Sequence, residues 1–247
     1  QFSISIDPTY DGEDVNARGV YYNFLEDTVI KDKEFAFNTA YAATFTSEDN
    51  SLLTFNNVEF SGKVQYIAFG EYRNSGKYLE FRNELNNVVA KDMVITHSIG
   101  IVNVETIDYM APLIFLRGES VLNNCEFTGS TCIAPAKTDY NGTVHEVLPY
   151  DCGVPNFCTA TFDNCKVGSL YTWSHSKVTI KNSEIDYIRC STHKKASKTS
   201  HLTIGPGTVV NEIVATSSGS AKVVTVNGKK TLTAAPWSPC IIIKAGA

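Results

Sequence analysis

The 247-residue chain lacks several features that would place it in a common functional class. No apolar run approaches the roughly 18–20 residues needed to cross a membrane, so a membrane-spanning helix is not expected. The net charge is −5, so neither nucleic acid nor an anionic membrane surface is an expected partner. Long helix-forming stretches with a period of 3.6 are missing, whereas Thr, Ser, Asn, Val and aromatic residues are frequent. This composition predicts an all-β chain of many short strands.

Motifs for metal binding and for the common catalytic chemistries are missing as well. The seven cysteines form no Cys-x-x-Cys pair and show no zinc-type spacing. The chain also has no phosphate-binding loop, dinucleotide-binding fingerprint, metalloprotease motif or Gly-x-Ser-x-Gly elbow. We therefore expect neither a metal nor an organic cofactor, and the sequence identifies no catalytic residue.

A six-residue pattern recurs instead: an apolar residue, any residue, Asn, a small or apolar residue, any residue and usually a further apolar residue. Leu25–Ile30 is a weaker match, with Asp27 in place of the Asn. Several intervals between matches are close to the length of one solenoid coil, which indicates stacked units. The full matches begin at Phe55, Leu85, Ile101, Leu122, Phe162 and Ile180.

The position of the Asn predicts a bend. Simple strand alternation would bury the Asn and expose the apolar residue after it in every repeat. A bend removes this conflict, because Asn tolerates left-handed backbone angles better than other non-glycine residues do. The pattern therefore predicts two short strands joined at a corner in each coil. The corner residues, which we expect to form a structural ladder, are Asn57, Asn87, Asn103, Asn124, Asn164 and Asn182.

This arrangement resembles the right-handed parallel β-helix of the pectate-lyase-like superfamily, in which stacked corner asparagines form a hydrogen-bonded ladder. The resemblance covers roughly residues 20–230. Coils such as VTIKNSEI (178–185) also loosely resemble uncharacterised surface β-helix domains of Gram-negative gut bacteria. The predicted fold class is all-β, a single-domain right-handed parallel β-helix with an Asn ladder at a coil corner.

The interruptions of the pattern predict three parts. Residues 1–20 are polar and turn-rich and are expected to be an N-terminal entry or cap segment. Residues 21–233 are the β-helix, with a loop excursion at 131–158, and 234–247 are a last coil or edge strand. Near the end of the helix, Gly205 and Gly207 stand where the bend is expected.

The odd number of cysteines leaves at least one of them without an intramolecular partner. If their coils are adjacent, Cys125 and Cys165 occupy equivalent positions about 4.8 Å apart. This spacing favours stacked thiols over a disulfide, which needs Cβ atoms about 3.5–4.5 Å apart. A disulfide among Cys132, Cys152 and Cys158, all in the predicted loop, is left open.

Two groups of polar residues are candidate ligand-binding sites. The outward position of the pattern would stack Glu59, Val89, Glu105, Glu126, Lys166 and Glu184 in one mostly acidic column, in which Glu105, Glu126 and Glu184 are the candidate ligand contacts. The predicted loop contributes the second group: Asp139, Tyr140, His145, Glu146, Tyr150 and Asp151. Tyrosines and carboxylates suit sugar contacts, and loops on rigid scaffolds often carry function. A solvated strand face and an ordinary surface loop are the alternative interpretations.

The function expected from these features is that of a non-catalytic extracellular or cell-surface module that binds carbohydrate or acts as an adhesin or spacer. The resemblance implies catalytic clusters, such as the Gly-His-Gly of polygalacturonases, that this sequence lacks. The alternatives are a polysaccharide lyase or glycoside hydrolase with an unrecognised site, for which calcium would be the expected cofactor, and a phage fibre segment. A polysaccharide or cell-surface glycan is the expected partner, and attachment to a bacterial surface through a lipid-modified segment before residue 1 is the expected location.

Overall fold

The computed structural model describes residues 19–47, 50–71, 81–97, 99–102, 107–138, 142–173, 175–192, 201–217, 220–224 and 240–247. Every regular element in these ranges is a β-strand. Accordingly, the described residues include no helix that is long and apolar enough to span a membrane.

The strands are short, as the composition predicts. The first twelve are β1 (Gly19–Phe24), β2 (Thr28–Asn38), β3 (Ala42–Ser47), β4 (Leu52–Val64), β5 (Ile67–Phe69), β6 (Arg82–Lys91), β7 (Val94–Ile95), β8 (Ile99–Val102), β9 (Ile107–Leu116), β10 (Glu119–Asn123), β11 (Glu126–Thr128) and β12 (Thr131–Cys132). The others are β13 (Lys137–Thr138), β14 (Val144–His145), β15 (Leu148–Val154), β16 (Thr159–Asp163), β17 (Lys166–Thr172), β18 (Lys177–Lys181), β19 (Glu184–Thr192), β20 (His201–Ile204), β21 (Val209–Ser217), β22 (Ser220–Val224) and β23 (Cys240–Ile243).

Among the described residues, 21 strands form one sheet that winds around a core, with mostly parallel pairing between coils. Face A consists of the first halves of β2, β4 and β6, followed by β10, β16, β18, β20 and β23. Face B consists of the second halves of β2, β4 and β6, then β11 and the first residues of β17, β19 and β21. Face C consists of β1, β3, β5, β9, β15 and the remainders of β17, β19 and β21.

The corner between faces A and B is built by the repeated Asn. Asn57, Asn87, Asn124, Asn164 and Asn182 all have left-handed backbone angles, with φ between 49° and 55°. Asn87 Nδ2 donates to Asn57 Oδ1 over 2.9 Å, and Asn164 Nδ2 donates to Asn124 Oδ1. These bonds join adjacent coils at positions where most other residues would be strained. The predicted parallel β-helix with an Asn ladder at a coil corner is therefore confirmed.

The ladder begins at Asp32, one step before the first predicted corner. Asp32 has φ 52°, and its Oδ1 accepts a 3.0 Å hydrogen bond from Asn57 Nδ2. The weaker sequence match placed this corner at Asp27, and that assignment is wrong. The Asp27 carboxylate instead accepts a hydrogen bond from the backbone N–H of Leu52. At the other end Gly207, with φ 70°, continues the corner, in agreement with the predicted glycine bend.

One predicted repeat leaves the stack. Val89 pairs directly with Glu126, so no rung lies between these two residues on face B. Residues 99–102, where the match beginning at Ile101 was placed, form β8, which pairs antiparallel with β9. The prediction of a further coil rung there is therefore wrong. Asn103 and Glu105 themselves lie outside the described residues.

A second left-handed corner follows face B in the first coils. It is formed by Gly62 (φ 88°), Asp92 (φ 51°) and Gly129 (φ 74°). A Cβ atom on Gly62 would lie 2.1 Å from the Phe37 carbonyl oxygen, so only glycine fits there. In the later coils β17, β19 and β21 run from face B to face C without this corner.

The described cysteines lie mostly in the core. Cys125 and Cys165 are buried on adjacent coils as unpaired thiols, which confirms the predicted stack. A hydrogen bond with the Cys165 thiol, together with burial, raises the pKa of Cys125. The disulfide left open in the loop does not form. The unpaired cysteines are Cys125, Cys132, Cys152, Cys158, Cys165 and Cys190.

Candidate functional site

The outer column predicted from the repeat is present on face B without Glu105, because Val89 pairs directly with Glu126. The register pairs Glu59 with Val89, Val89 with Glu126, Glu126 with Lys166 and Lys166 with Glu184. Lys91 Nζ lies 3.2 Å from Glu126 Oε1. Glu126 and Glu184 therefore stand two rungs apart, at about 9.6 Å, with a lysine between them. This alternation suits a solvated strand face, and a ligand-binding role for Glu126 and Glu184 stays a prediction.

The predicted loop excursion is shorter than residues 131–158. A two-stranded hairpin, in which Lys137 pairs with His145, projects from the coils. Residues 148–154 form β15, a regular coil strand of face C. His145 is half-buried and Glu146 is exposed on the hairpin side, whereas Asp139 and Tyr140 lie outside the described residues.

Two candidate ligand contacts from that loop are buried in β15. Tyr150 is 2% exposed and Asp151 is 4% exposed, so their assignment to a surface loop was wrong. Asp151 accepts hydrogen bonds from the backbone N–H groups of Ser130 and Ser169 and from Ser169 Oγ. A Cβ atom on Gly168 would lie 2.4 Å from Asp151 Oδ2, so the glycine leaves room for the carboxylate. Asp151 is thus a satisfied buried acid that ties adjacent segments together.

A second cluster of aromatic side chains, separate from the main core, lies as a strip on the outer side of face C, and four of its six rings are buried. Neighbouring ring centroids in the strip are 4.4–6.2 Å apart, and all five pairs are in edge-on or tilted contact. The strip is separate from the core inside the coils. We call it the outer aromatic strip; its members are Tyr66, Phe115, Tyr150, Tyr171, Trp173 and Tyr187.

Strand alternation places these rings outside. In β9, Ile114 and Leu116 point into the main core, so Phe115 between them points outward. The residue paired with Phe115 in the next coil is Gly153, and a Cβ atom there would lie 2.8 Å from Trp173 Cζ3. Gly153 therefore makes room for the indole to lie over the sheet.

Two arginines accompany the strip. The Arg117 guanidinium lies 5.7 Å from the ring centroid of Tyr66 and 5.5 Å from that of Phe115, at cation–π distance. Its Nη1 donates to the carbonyl oxygen of Gly70 over 3.0 Å. Burial raises the pKa of Tyr150. Arg189, which hydrogen-bonds Tyr150, acts in the opposite direction and lowers that pKa.

The strip has buried rings in its middle and half-buried rings at two separate points. Phe115, Tyr150 and Tyr171 are buried, whereas Tyr66 and Tyr187 are half-buried at separate points along the helix axis. Four inter-strand steps from β5 to β19 separate Tyr66 from Tyr187, a distance of about 19 Å. Any ligand that touches both must therefore be an extended molecule.

Tyr21 lies at the first-coil end of the same face. It is 37% exposed, and its strand position stacks through Thr44 and Ala68 to Phe115. Burial, followed by the nearby Tyr66 and Glu71, raises the pKa of Tyr21. Aromatic faces with a guanidinium and a carboxylate at the edge are groups that can stack on and hydrogen-bond to a sugar.

The described residues contain no group of three or more His, Cys, Asp and Glu side chains that could hold a metal ion. Comparisons with protein-family models, with curated proteins and with solved structures find no match to the chain. The site is therefore defined by its own geometry alone. The sequence signal for the strip was the outward position in IFLRG, LYTWS and DYIRC, where an aromatic or arginine alternates with core residues.

Proposed function

We propose that the protein is a non-catalytic glycan-binding β-helix, which binds an extended polysaccharide along the outer aromatic strip. The observation that carries the proposal is a continuous line of outward aromatic rings, reached at Tyr66 and Tyr187 and flanked by Arg117 and Arg189. Aromatic side chains offer large rigid contact area at low entropic cost, and arginine adds planar hydrogen-bond donors.

The rigidity of the scaffold supports the same proposal. Parallel strands hold the outward side chains at a fixed spacing of about 4.8 Å per coil, so little ordering is needed when a ligand binds. The Asn ladder fixes the coils relative to one another at one corner. A linear polymer laid along the axis would meet preorganised contacts at Tyr66 and Tyr187.

The proposal includes the finer assignments suggested by the sequence. The repeated Asn corner supports membership of the pectate-lyase-like superfamily, and a glycan ligand fits an extracellular or cell-surface location. The outer column of glutamates and lysines on face B has no part in the proposed binding, because neighbouring cations offset its carboxylates.

A glycan array followed by isothermal titration calorimetry tests the proposal. The array should contain neutral and uronate-containing linear glycans, and binding should increase with chain length until the ligand spans about 19 Å. Tyr66→Ala and Tyr187→Ala should each weaken binding about 2- to 10-fold, the range of one aromatic contact.

Matched controls lie on another face of the same coils. Thr161→Ala and Thr179→Ala change half-buried outward side chains of face A and should leave the affinity unchanged. Absence of binding to every glycan on the array, or equal loss in the face A controls, would contradict the proposal.

A further inference from the structure

Two turns that connect face C to face A carry strained aromatic residues. The backbone N–H of Cys158 donates to the carbonyl oxygen of Pro155, and that of Ser176 donates to the carbonyl oxygen of Trp173. The third residue of these turns is Phe157 (φ 63°) and His175 (φ 62°), respectively. A positive φ at this turn position normally requires Gly or Asn, so both residues hold an unfavourable backbone conformation.

The two strained residues lie side by side. Thr159 pairs with Lys177, so Phe157 and His175, each two residues earlier, occupy equivalent positions on adjacent coils. Their ring centroids are 4.6 Å apart with an interplanar angle of 42°. We call this pair the turn ledge.

The turn ledge contributes little to the core. Phe157 is 45% exposed, whereas most described phenylalanines are buried or half-buried. A glycine would relieve the backbone at each position, yet the chain has an exposed Phe and a His there. Residues that the surrounding structure holds in an unfavourable backbone conformation cluster at binding sites. This suggests that the two rings serve recognition rather than stability.

The turn ledge is continuous with the outer aromatic strip. The turn that carries His175 begins at Trp173, and Ser176 Oγ donates to the Trp173 carbonyl oxygen over 2.7 Å, which fixes the turn. The turn ledge therefore stands at the edge of face C beside Trp173, which is 9% exposed, and a glycan that extends past the strip at this edge would reach the two rings.

We propose that Phe157 and His175 form a second glycan subsite, which binds the apolar face of one pyranose ring at the corner between faces C and A. This proposal rests on the proposed function, because its ligand is the chain that the outer aromatic strip binds. The strain at the two residues is the cost of presenting flat rings to solvent at a turn.

The test is a set of glycine and alanine variants in which stability and binding change in opposite directions. Phe157→Gly removes the ring and relieves the backbone, so the melting temperature should rise by about 2–4 °C. Its affinity for cellohexaose or for hexagalacturonate, measured by calorimetry, should fall about 2- to 10-fold. Phe157→Ala should lose the same affinity without the gain in stability, because alanine keeps the strained angle. His175→Gly should behave like Phe157→Gly.

The outcomes separate this proposal from the proposed function. If Phe157→Gly lowers the melting temperature and leaves the affinity unchanged, the ring is structural and the subsite is wrong. If Tyr187→Ala weakens binding but Phe157→Gly and His175→Gly do not, the glycan-binding function stands without the subsite. If neither hexasaccharide binds the unmodified protein, both proposals fail.

Discussion

The first coils and the later coils of the helix use aromatic residues in opposite ways. The first coil takes 25 residues to pass from Asp32 to Asn57, whereas a later coil takes 18 residues to pass from Cys165 to Ser183. The early interior is filled by phenylalanines whose ring centroids lie 5.0–6.1 Å apart, namely Phe45, Phe55, Phe60 and Phe69. The later interior is lined mainly by Val, Ile, Leu and Cys, and the aromatic rings there, apart from the buried Phe162, lie on the outer side of the sheet.

This difference follows from the size of the coil. A longer coil with a second corner encloses more volume, and phenyl rings fill it at native density. A coil of 18 residues, whose strand runs uninterrupted from face B to face C, encloses less volume and is filled mainly by aliphatic side chains and thiols, with Phe162 as a buried ring. Outward positions carry rings in the later coils, and the outer aromatic strip continues from there to Tyr66 on the early coils.

The largest expected effect is the loss of an interior ring from the early coils. Phe60→Ala removes a fully buried ring that contacts Phe35, Phe45 and Phe69 and should lower the free energy of unfolding by about 3–5 kcal/mol. Ile188→Val, in the later interior, should cost about 0.5–1.5 kcal/mol. Urea unfolding measures both, and similar costs would mean that the rings do not fill the wider coil.

The corner ladder should come next. Asn124→Val places a β-branched residue at φ 55° and removes the amide that accepts from Asn164, so we expect a loss of about 2–3 kcal/mol. Asn124→Gly keeps the backbone conformation and should cost about 1 kcal/mol, for the hydrogen bond alone. An unchanged melting temperature for Asn124→Val would show that the ladder contributes nothing.

The limited volume of the later coils predicts a cost for adding a ring. Ile188→Phe should destabilise the protein by about 1–3 kcal/mol through overpacking, since Ile188 is fully buried in the narrow interior. Ile188→Leu conserves the volume and should cost less than about 1.5 kcal/mol. Chemical denaturation compares the two substitutions, and equal stability of Ile188→Phe and Ile188→Leu would contradict the size argument.

The smallest expected effect concerns the residues that precede the corner. In the early coils these form an amide ladder, in which Asn86 Nδ2 donates to Asn56 Oδ1 and Asn123 Nδ2 donates to Asn86 Oδ1. In the later coils Asp163 pairs with Lys181 at 2.9 Å. Hydrogen bonds from Lys181 and then Asn182 lower the pKa of Asp163.

A lowered carboxyl pKa sets the direction of the pH dependence. The pair stabilises the protein above the unfolded pKa of Asp163, and this stabilisation is lost as the pH falls through the lower folded pKa. Asp163→Asn should therefore cost at most about 1 kcal/mol at neutral pH, because the pair is exposed, and nothing in strong acid. Thermal melts of the unmodified protein and of Asp163→Asn, from neutral pH to strong acid, measure this effect. A difference in melting temperature that stays constant over this range would show that the charge of Asp163 has no role. Asn86→Ala should show no such pH dependence.

The sequence allowed the Asn corner to be predicted because one residue type recurs there with a fixed apolar frame. Asp32 was missed because it is an acid in place of the Asn, and because Lys33 stands where the repeated pattern requires a small or apolar residue. The second corner uses Gly62, Asp92 and Gly129, so no single residue type marks it.

The candidate site was harder to find from the sequence. Pro149, Gly153 and Pro155 suggested a loop, whereas β15 forms because its inward residues complete the core and Gly153 accommodates Trp173. Alternating apolar and aromatic residues, as in SLYTW, are as compatible with a position in the core as with a position on the outer side of the sheet. Only the pairing of coils shows which of them face outward.

Hydroxyl-radical footprinting, read by mass spectrometry, tests the central claim most directly. The unmodified protein would be exposed to radicals with and without hexagalacturonate or cellohexaose. Oxidation of Tyr66, Trp173 and Tyr187 should be slower when the glycan is bound, whereas oxidation of Tyr41 on the first coils should be unchanged. Protection confined to the hairpin around His145 or to the column from Glu59 to Glu184, or no protection at all, would contradict it.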